Sequence, residues 1–167
     1  MSDGVLIGLA SIPEREGSLQ RTLKSLAPQA DKIALSLNEY AQVPSWLARF
    51  PNVEATIRSE NLGDAEKFAA VDEWDGVVCT CDDDILYPSD YVARILEGLE
   101  KWPGRAVSFH GGVTLGFNGT HVTATGRRVR CLGDLEEDDT ELNVLGTGCL
   151  GYDARSVPVW RDSFRYP

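Results

Sequence analysis

Short apolar runs alternate with helical patterns along this chain, and this alternation constrains the fold more than any other feature. The first run, at residues 5–10, lacks the polar alternation of a strand that faces water on one side. The runs of strand length cover residues 5–10, 32–37, 53–58, 76–81 and 106–110. Helical patterns begin at residues 18, 44, 64 and 90. Strands that alternate with helices predict an α/β fold with a mainly parallel central sheet flanked by helices.

The C-terminal part differs in character. Residues 111–133 are rich in glycine, threonine and arginine and carry only short alternating runs, which predicts a loop or a small antiparallel hairpin. Residues 143–150 predict a further strand, interrupted by Gly146-Thr147-Gly148, and a helix is expected from Ala154. Because no repeat or linker is visible, residues 1–167 are predicted to form a single domain.

Composition narrows the possible partners. The chain has 167 residues, 43% of them hydrophobic, which is enough for one substantial core. A net charge of -10 argues against nucleic acid as a partner. Apolar runs are too short for an integral membrane segment, and the N-terminus lacks a signal-peptide pattern, so we expect a cytoplasmic protein.

Four cysteines are scattered without the spacing of a disulfide framework. Cys79 and Cys81 lie two apart on a predicted strand, so their side chains share one face. We interpret all four as small buried core residues, with a soft-metal site as the alternative.

Three consecutive carboxylates, Asp82, Asp83 and Asp84, follow the fourth predicted strand; we call them the acidic triplet. Repulsion among neighbouring carboxylates grows where water is excluded, so a cation is expected among them. Mg²⁺ and Mn²⁺ prefer oxygen ligands and leave open positions for substrate phosphates. The alternative is a solvated turn that caps the next helix.

Other chemically capable residues also follow predicted strands, at the edge where an open parallel sheet binds its ligands. The loop after the first strand carries Ser11 and Arg15, and an arginine can fork onto phosphate oxygens. Asn38, Lys67 and His110 follow later strands. Arg15 and Lys67 could equally be solvated surface residues. No glycine-rich phosphate loop of the dinucleotide or P-loop type is present.

Three segments carry a family resemblance: residues 9–15 (LASIPER), 61–67 (NLGDAEK) and 82–91 (DDDILYPSDY), with a weaker signal at 146–148 (GTG). Together they resemble glycosyltransferases of GT-A fold, in particular the large group similar to family 2. The resemblance implies a single GT-A, Rossmann-like domain that binds a nucleotide-diphosphosugar, most often a uridine diphosphate (UDP) sugar. It also implies Mn²⁺ or Mg²⁺ at the acidic triplet.

The resemblance also implies roles for individual residues. Asp84 is expected to ligate the metal together with Asp82, while Asp82 and Asp83 face the nucleoside and the sugar. The remaining contacts to the nucleotide-sugar are expected from Ala10, Ser11, Ile12, Arg15, Asn38, Asn61, Gly63 and Lys67.

A catalytic base is less well defined. An inverting transferase needs a group that takes the proton from the acceptor hydroxyl. Glu137 and Asp138, in the acidic run before residue 143, are candidates, although such a run is usually a solvated loop. His110 is a third candidate because its pKa lies near neutrality, with a satisfied strand-end histidine as the alternative.

The predicted function is therefore transfer of a sugar from a nucleotide-diphosphosugar to an unknown acceptor with the help of a metal ion. Relatives continue beyond the position where this chain stops, so we expect either a compact natural version or a fragment that lacks a C-terminal extension. Two alternatives stay open: a nucleotide-sugar-binding domain without turnover, and a metal-dependent nucleotidyltransferase. The loop at residues 11–15 argues against the latter, which normally has a glycine- and arginine-rich loop there.

Overall fold

The computed structural model describes residues 4–113, 128–130, 139–157 and 159. The α-helices of this part are α1 (Glu16–Leu26) and α2 (Tyr91–Lys101). The strands are β1 (Val5–Ser11), β2 (Lys32–Asn38), β3 (Val53–Arg58), β4 (Val77–Cys81), β5 (Val107–Ser108), β6 (Gly111–Val113), β7 (Arg128–Arg130), β8 (Val144–Leu145) and β9 (Cys149–Asp153). Short 3₁₀ turns cover Pro13–Arg15, Ala27–Gln29, Ser45–Arg49, Gly63–Phe68 and Val71–Glu73.

Six of these strands form one sheet in the order β3-β2-β1-β4-β9-β5. The pairs β1–β2, β2–β3 and β1–β4 are parallel. β9 pairs antiparallel with both β4 and β5, so β5 again runs parallel to β4. The predicted α/β class with a mainly parallel sheet flanked by helices is confirmed, with β9 as its one antiparallel member among the described strands.

One face of the sheet is covered by the two α-helices. Leu19, Leu23 and Leu26 recur at helical spacing along α1 and are fully buried. Ile95 of α2 packs into the same core. The strand residues in this core are Val5, Ile7, Leu9, Ile33, Leu35, Leu37, Cys79, Cys81 and Cys149. We call this the helical face. The predicted burial of Cys79 and Cys81 on one face is confirmed, and Cys149 is buried as well.

The opposite face carries the 3₁₀ turns at 63–73 in place of the predicted helix; we call it the 3₁₀ face. Phe68 and Val71 pack there on Leu6 and Val78. A Cβ at Gly8, in the middle of β1, would collide with the backbone carbonyl of Lys67. The missing side chain therefore lets the 63–68 segment lie directly on the sheet.

The C-terminal part forms a small antiparallel sheet in the order β7-β6-β8, which confirms the antiparallel prediction for the described part of 111–133. The predicted strand at 143–150 is two strands, β8 and β9, which belong to different sheets. The predicted strand at 106–110 is short, because only Val107–Ser108 pair with β9. No helix among the described residues is long and apolar enough to cross a membrane.

Candidate functional site

The strand order reverses at β1. The chain builds outward from β1 through β2 to β3 and then returns to place β4 on the other side of β1. The carboxyl ends of β1 and β4 are therefore neighbours with opposite onward connections, and such a crevice is where open α/β sheets bind ligands. Ser11 ends β1 and the acidic triplet follows β4, so the sequence motifs meet at this point.

Asp83 lies inside this crevice, on the side of α1. Its Oδ2 accepts a 2.6 Å hydrogen bond from Ser11 Oγ, and its Oδ1 accepts one of 2.9 Å from Arg15 Nη1. The hydroxyl of Thr22, in α1, donates to the Asp83 carbonyl at 3.0 Å. Only 3% of the side chain is exposed. The hydrogen bond to Asp83 raises the pKa of Arg15 above its ordinary value. The alternative of a solvated turn is therefore wrong for this residue.

Asp82 points to the other side, where Lys67 Nζ forms an ion pair with its Oδ1. Lys67 Nζ also lies 3.0 Å from Asp64 Oδ1. Burial lowers the pKa of Lys67, but the hydrogen bonds and charges of Asp82 and Asp64 outweigh it and raise that pKa. The side chain of Lys67 is only 2% exposed, so the alternative of a solvated surface lysine is wrong.

Asp84 is the open member of the triplet. Its side chain is 49% exposed, and its nearest cation is Arg15 Nη1 at 3.4 Å. Three carboxylates thus face two cations, Lys67 and Arg15, and the cluster keeps a net negative charge. Within the described residues, no three His, Cys, Asp or Glu side chains converge as a metal site, which leaves the soft-metal alternative without support there.

An ion pair between partly buried Arg58 and buried Glu66 anchors the segment that carries Lys67. Arg58 Nε donates to Glu66 Oε2 at 2.9 Å and to Ser36 Oγ at 3.0 Å. The hydroxyl of Ser36 lies 3.1 Å from the Glu66 carbonyl. This network ties the 63–68 segment to β2 and β3, while Gly8 lets it approach β1. Lys67 therefore reaches Asp82 from a fixed backbone.

Asn38 ends β2, and its Oδ1 is buried without a donor among the described residues. An unmet buried acceptor is unfavourable unless a ligand or water supplies a donor. The next residue, Glu39, has φ 64°, a conformation that costs energy for a residue with a side chain. Its Oε1 accepts a 2.8 Å hydrogen bond from Asn61 Nδ2. Asn61 Oδ1 in turn accepts from the backbone N–H of Gly63 at 2.9 Å.

Tyr87 joins the acidic triplet to the turn at Gly146-Thr147-Gly148, which we call the glycine turn. The backbone N–H of Asp82 donates to Tyr87 Oη at 2.8 Å, and this hydroxyl donates to the Gly148 carbonyl. Thr80 Oγ1 donates to the Thr147 carbonyl at 2.6 Å. A Cβ at Gly148 would collide with Asp82 Oδ2. Gly148 therefore makes room for a site carboxylate.

His110 lies on the far side of the same turn. Its Nδ1 is 2.7 Å from Cys149 Sγ, and a Cβ at Gly146 would overlap its ring. Burial raises the pKa of the Cys149 thiol, so this group stays protonated near neutrality. Left-handed glycines among the described residues are Gly63 and Gly104. Gly146 and Gly148 are thus needed for space, not for backbone dihedral angles.

The first loop is fixed by its own contacts. The carbonyl of Ile12 accepts from Tyr40 Oη at 3.1 Å and from the Arg15 N–H at 3.0 Å. Ala10, the penultimate residue of β1, is half-buried. Glu137 and Asp138 lie outside the described residues.

Sequence reasoning missed Gly8, Tyr87 and the Arg58–Glu66 pair. Gly8 had a usable signal, since a glycine inside an apolar strand often marks a close backbone approach. Tyr87 belongs to the motif at residues 82–91, but no sequence pattern predicts its hydrogen bond to Gly148. Arg58 and Glu66 are eight positions apart, and neither carries a pattern that predicts burial.

Neither the scan against protein-family models nor the search of curated proteins gives a match to this chain. Fold and site together define an α/β protein with a charged crevice at the β1/β4 switch point.

Proposed function

We propose that this chain is a metal-dependent glycosyltransferase of GT-A fold that binds a nucleotide-diphosphosugar, with UDP-sugars as the first candidates. The observation that carries the proposal is the meeting of Ser11, Arg15, Lys67 and the acidic triplet at one switch-point crevice. This is the edge at which the resemblance implies donor binding.

Charge supports a metal ion at this site. The crevice already has more carboxylates than cations, and the whole chain carries a net charge of -10. A diphosphate would therefore be repelled unless a cation accompanied it. Mg²⁺ and Mn²⁺ are commonly held by one or two carboxylates together with substrate phosphates.

Two carboxylates of the triplet offer oxygens suited to such an ion. Asp84 has an exposed carboxylate, and Asp82 keeps Oδ2 outside its ion pair with Lys67. Asp83 accepts protein donors on both oxygens, so we give it a structural role in place of the donor contact expected from the sequence. When bound, the metal would neutralise charge that develops on the leaving diphosphate.

The remaining side chains divide by position. Lys67 and Arg15 are the cations beside the carboxylates. Arg15, with a half-exposed side chain, is the cation assigned to a phosphate oxygen, while buried Lys67 holds Asp82 in place. The unmet Oδ1 of Asn38 suits an N–H or hydroxyl donor of the nucleoside. Among the described residues, His110 is the candidate for contact with the acceptor. It lies on the other side of Gly148 from Asp82.

The test is calorimetric titration with UDP, with Mn²⁺ present and with the metal chelated. We expect binding that needs Mn²⁺. Asp84→Asn should weaken it at least about tenfold, because one of very few protein ligands loses its charge. Glu97→Gln, which neutralises an exposed carboxylate on α2, is the matched control and should bind like the wild type.

Absence of UDP binding would refute the proposal. UDP binding that changes neither when the metal is chelated nor in Asp84→Asn would also refute it. A second assay separates transfer from binding alone. Release of UDP from a panel of UDP-sugars in the presence of Mn²⁺ indicates turnover. Tight metal-dependent binding with no release from any donor would instead identify a nucleotide-sugar-binding domain.

A further inference from the structure

The pairing of β4 with β9 is interrupted at the acidic triplet. The ladder pairs Cys81 with Cys149, so its next step pairs Asp82 with Gly148. In an antiparallel ladder every second pair exchanges backbone hydrogen bonds. Ala154 N donates to the Gly76 carbonyl at 2.9 Å, which places Gly76–Ala154 in the hydrogen-bonded set. Asp82 and Gly148 lie six positions along the same register, so they too fall in that set.

At this pair the hydroxyl of Tyr87 replaces the direct backbone bond. It accepts from the Asp82 N–H at 2.8 Å and donates to the Gly148 carbonyl. A bridging oxygen holds two strands farther apart than a direct N–H···O bond does. The strands therefore separate at the position where the carboxylate of Asp82 turns towards Lys67.

Tyr87 is itself held firmly. Its side chain is buried, and its ring packs on Tyr91 with 4.7 Å between centroids. Its backbone N–H donates to Ser25 Oγ at 3.2 Å. The hydroxyl thus comes from the helical face as a rigid spacer, and its place in the ladder does not depend on solvent.

We infer that Tyr87 is a positioning residue that sets the place of Asp82 by inserting its hydroxyl between Asp82 and Gly148. Without it, Asp82 and Gly148 either pair directly or lose their bonds. In both cases the carboxylate leaves the position from which it meets Lys67. For donor binding this inference rests on the proposed function, but its effect on the Asp82–Lys67 pair does not.

Tyr87→Phe tests the role, and Tyr91→Phe is the matched control. Tyr91 is a buried tyrosine in the same cluster whose hydroxyl contacts Cys81 Sγ at 3.6 Å and no backbone atom of the site. Both variants lose one buried hydroxyl. We expect Tyr87→Phe to weaken UDP binding in Mn²⁺ at least about tenfold at a temperature where both variants are folded, while Tyr91→Phe keeps the affinity of the wild type. The melting temperature should fall further in Tyr87→Phe, because two backbone groups lose their partner. Equal affinities of the two variants would overturn the inference.

A second measurement needs no nucleotide. Lys67 is shielded from reagents by burial and by its pair with Asp82. We expect acetic anhydride to label Lys67 several-fold faster in Tyr87→Phe than in Tyr91→Phe, as measured by peptide mass spectrometry. Equal labelling would overturn the inference. Should the wild type fail to bind UDP, the proposed function falls while this measurement still decides the role of Tyr87.

Discussion

Asp82 and Asp83 are neighbours in sequence, yet the sheet separates their environments. Asp83 lies on the helical face, where hydrogen bonds from Ser11 and Arg15 occupy both of its oxygens. Asp82 lies on the 3₁₀ face, where Lys67 occupies one oxygen and Gly148 leaves space beside the other. Adjacent carboxylates thus serve different purposes, one joining the ends of β1 and β4 and the other facing the crevice.

The same contrast holds for the two faces as a whole. On the helical face, regular helices bury continuous apolar side chains. On the 3₁₀ face, irregular turns hold buried charges, Lys67 and Glu66, and the unmet acceptor of Asn38 lies at the end of β2. Buried charge and unmet polar atoms are unfavourable unless function or pairing compensates them. The contrast therefore places the carboxylate that joins β1 to β4 on one face and the carboxylate that pairs with Lys67 on the other.

The largest expected effect is the loss of Asp83. Asp83→Ala removes two charge-assisted hydrogen bonds and leaves the buried hydroxyl of Ser11 without its acceptor, so we expect a loss of about 2–3 kcal/mol in the free energy of unfolding. Urea denaturation followed by circular dichroism measures it. Asp84→Ala, at the next position, removes a half-exposed carboxylate and should change stability by no more than about 0.5 kcal/mol. Equal losses for the two variants would refute the division of roles.

A smaller loss is expected from Gly8→Ala. The new methyl group would collide with the Lys67 backbone carbonyl, which cannot rotate away as a side chain could, so the 63–68 segment must lift from β1. We expect a loss of about 1–3 kcal/mol in unfolding free energy, measured by the same denaturation. Gly17→Ala meets open space within α1 and should gain about 0.5–1 kcal/mol. A neutral Gly8→Ala would mean that this close approach is not required.

Much of the fold was predictable because its elements have strong local patterns. The bounds of β2 and the start of α2 fall within one residue of those predicted, since apolar runs and helical spacing mark them clearly. The helix predicted from Asp64 was wrong. That segment is shaped by its contact with Gly8 and by the Glu66–Arg58 pair, which are long-range features. The position of β9 between β4 and β5 could not be predicted from the sequence either, because strand partners are decided by tertiary packing.

The location of the site was predictable from the sequence, but its hydrogen-bond and ion-pair partners were less so. Motifs that follow strands of a parallel sheet must meet at one edge, so the proximity of Ser11, Arg15 and the acidic triplet followed from chain order. Which oxygen meets which donor depends on side-chain direction at a turn, and no spacing rule reaches that far. Lys67 shows the limit, because nothing local in the sequence distinguishes it from a solvated lysine.

Gly148→Ala is expected to cost less stability than Gly8→Ala and so sharpens the contrast with Gly8. The added methyl group would meet Asp82 Oδ2, the end of a side chain that can rotate, and Lys67 would keep its second partner Asp64, so we expect a loss of about 1 kcal/mol in unfolding free energy. Asp82 would nevertheless leave its place beside Lys67, and we expect UDP affinity in Mn²⁺ to fall about tenfold, or roughly 1.4 kcal/mol. Calorimetric titration measures this fall. Gly98→Ala in α2, where a Cβ would approach only Val107 at 3.4 Å, is the control that should keep full affinity. If Gly148→Ala binds UDP as the wild type does, the position of Asp82 is irrelevant to the donor. The proposed donor binding would then rest on Asp84 alone, because both carboxylate oxygens of Asp83 accept hydrogen bonds from the protein.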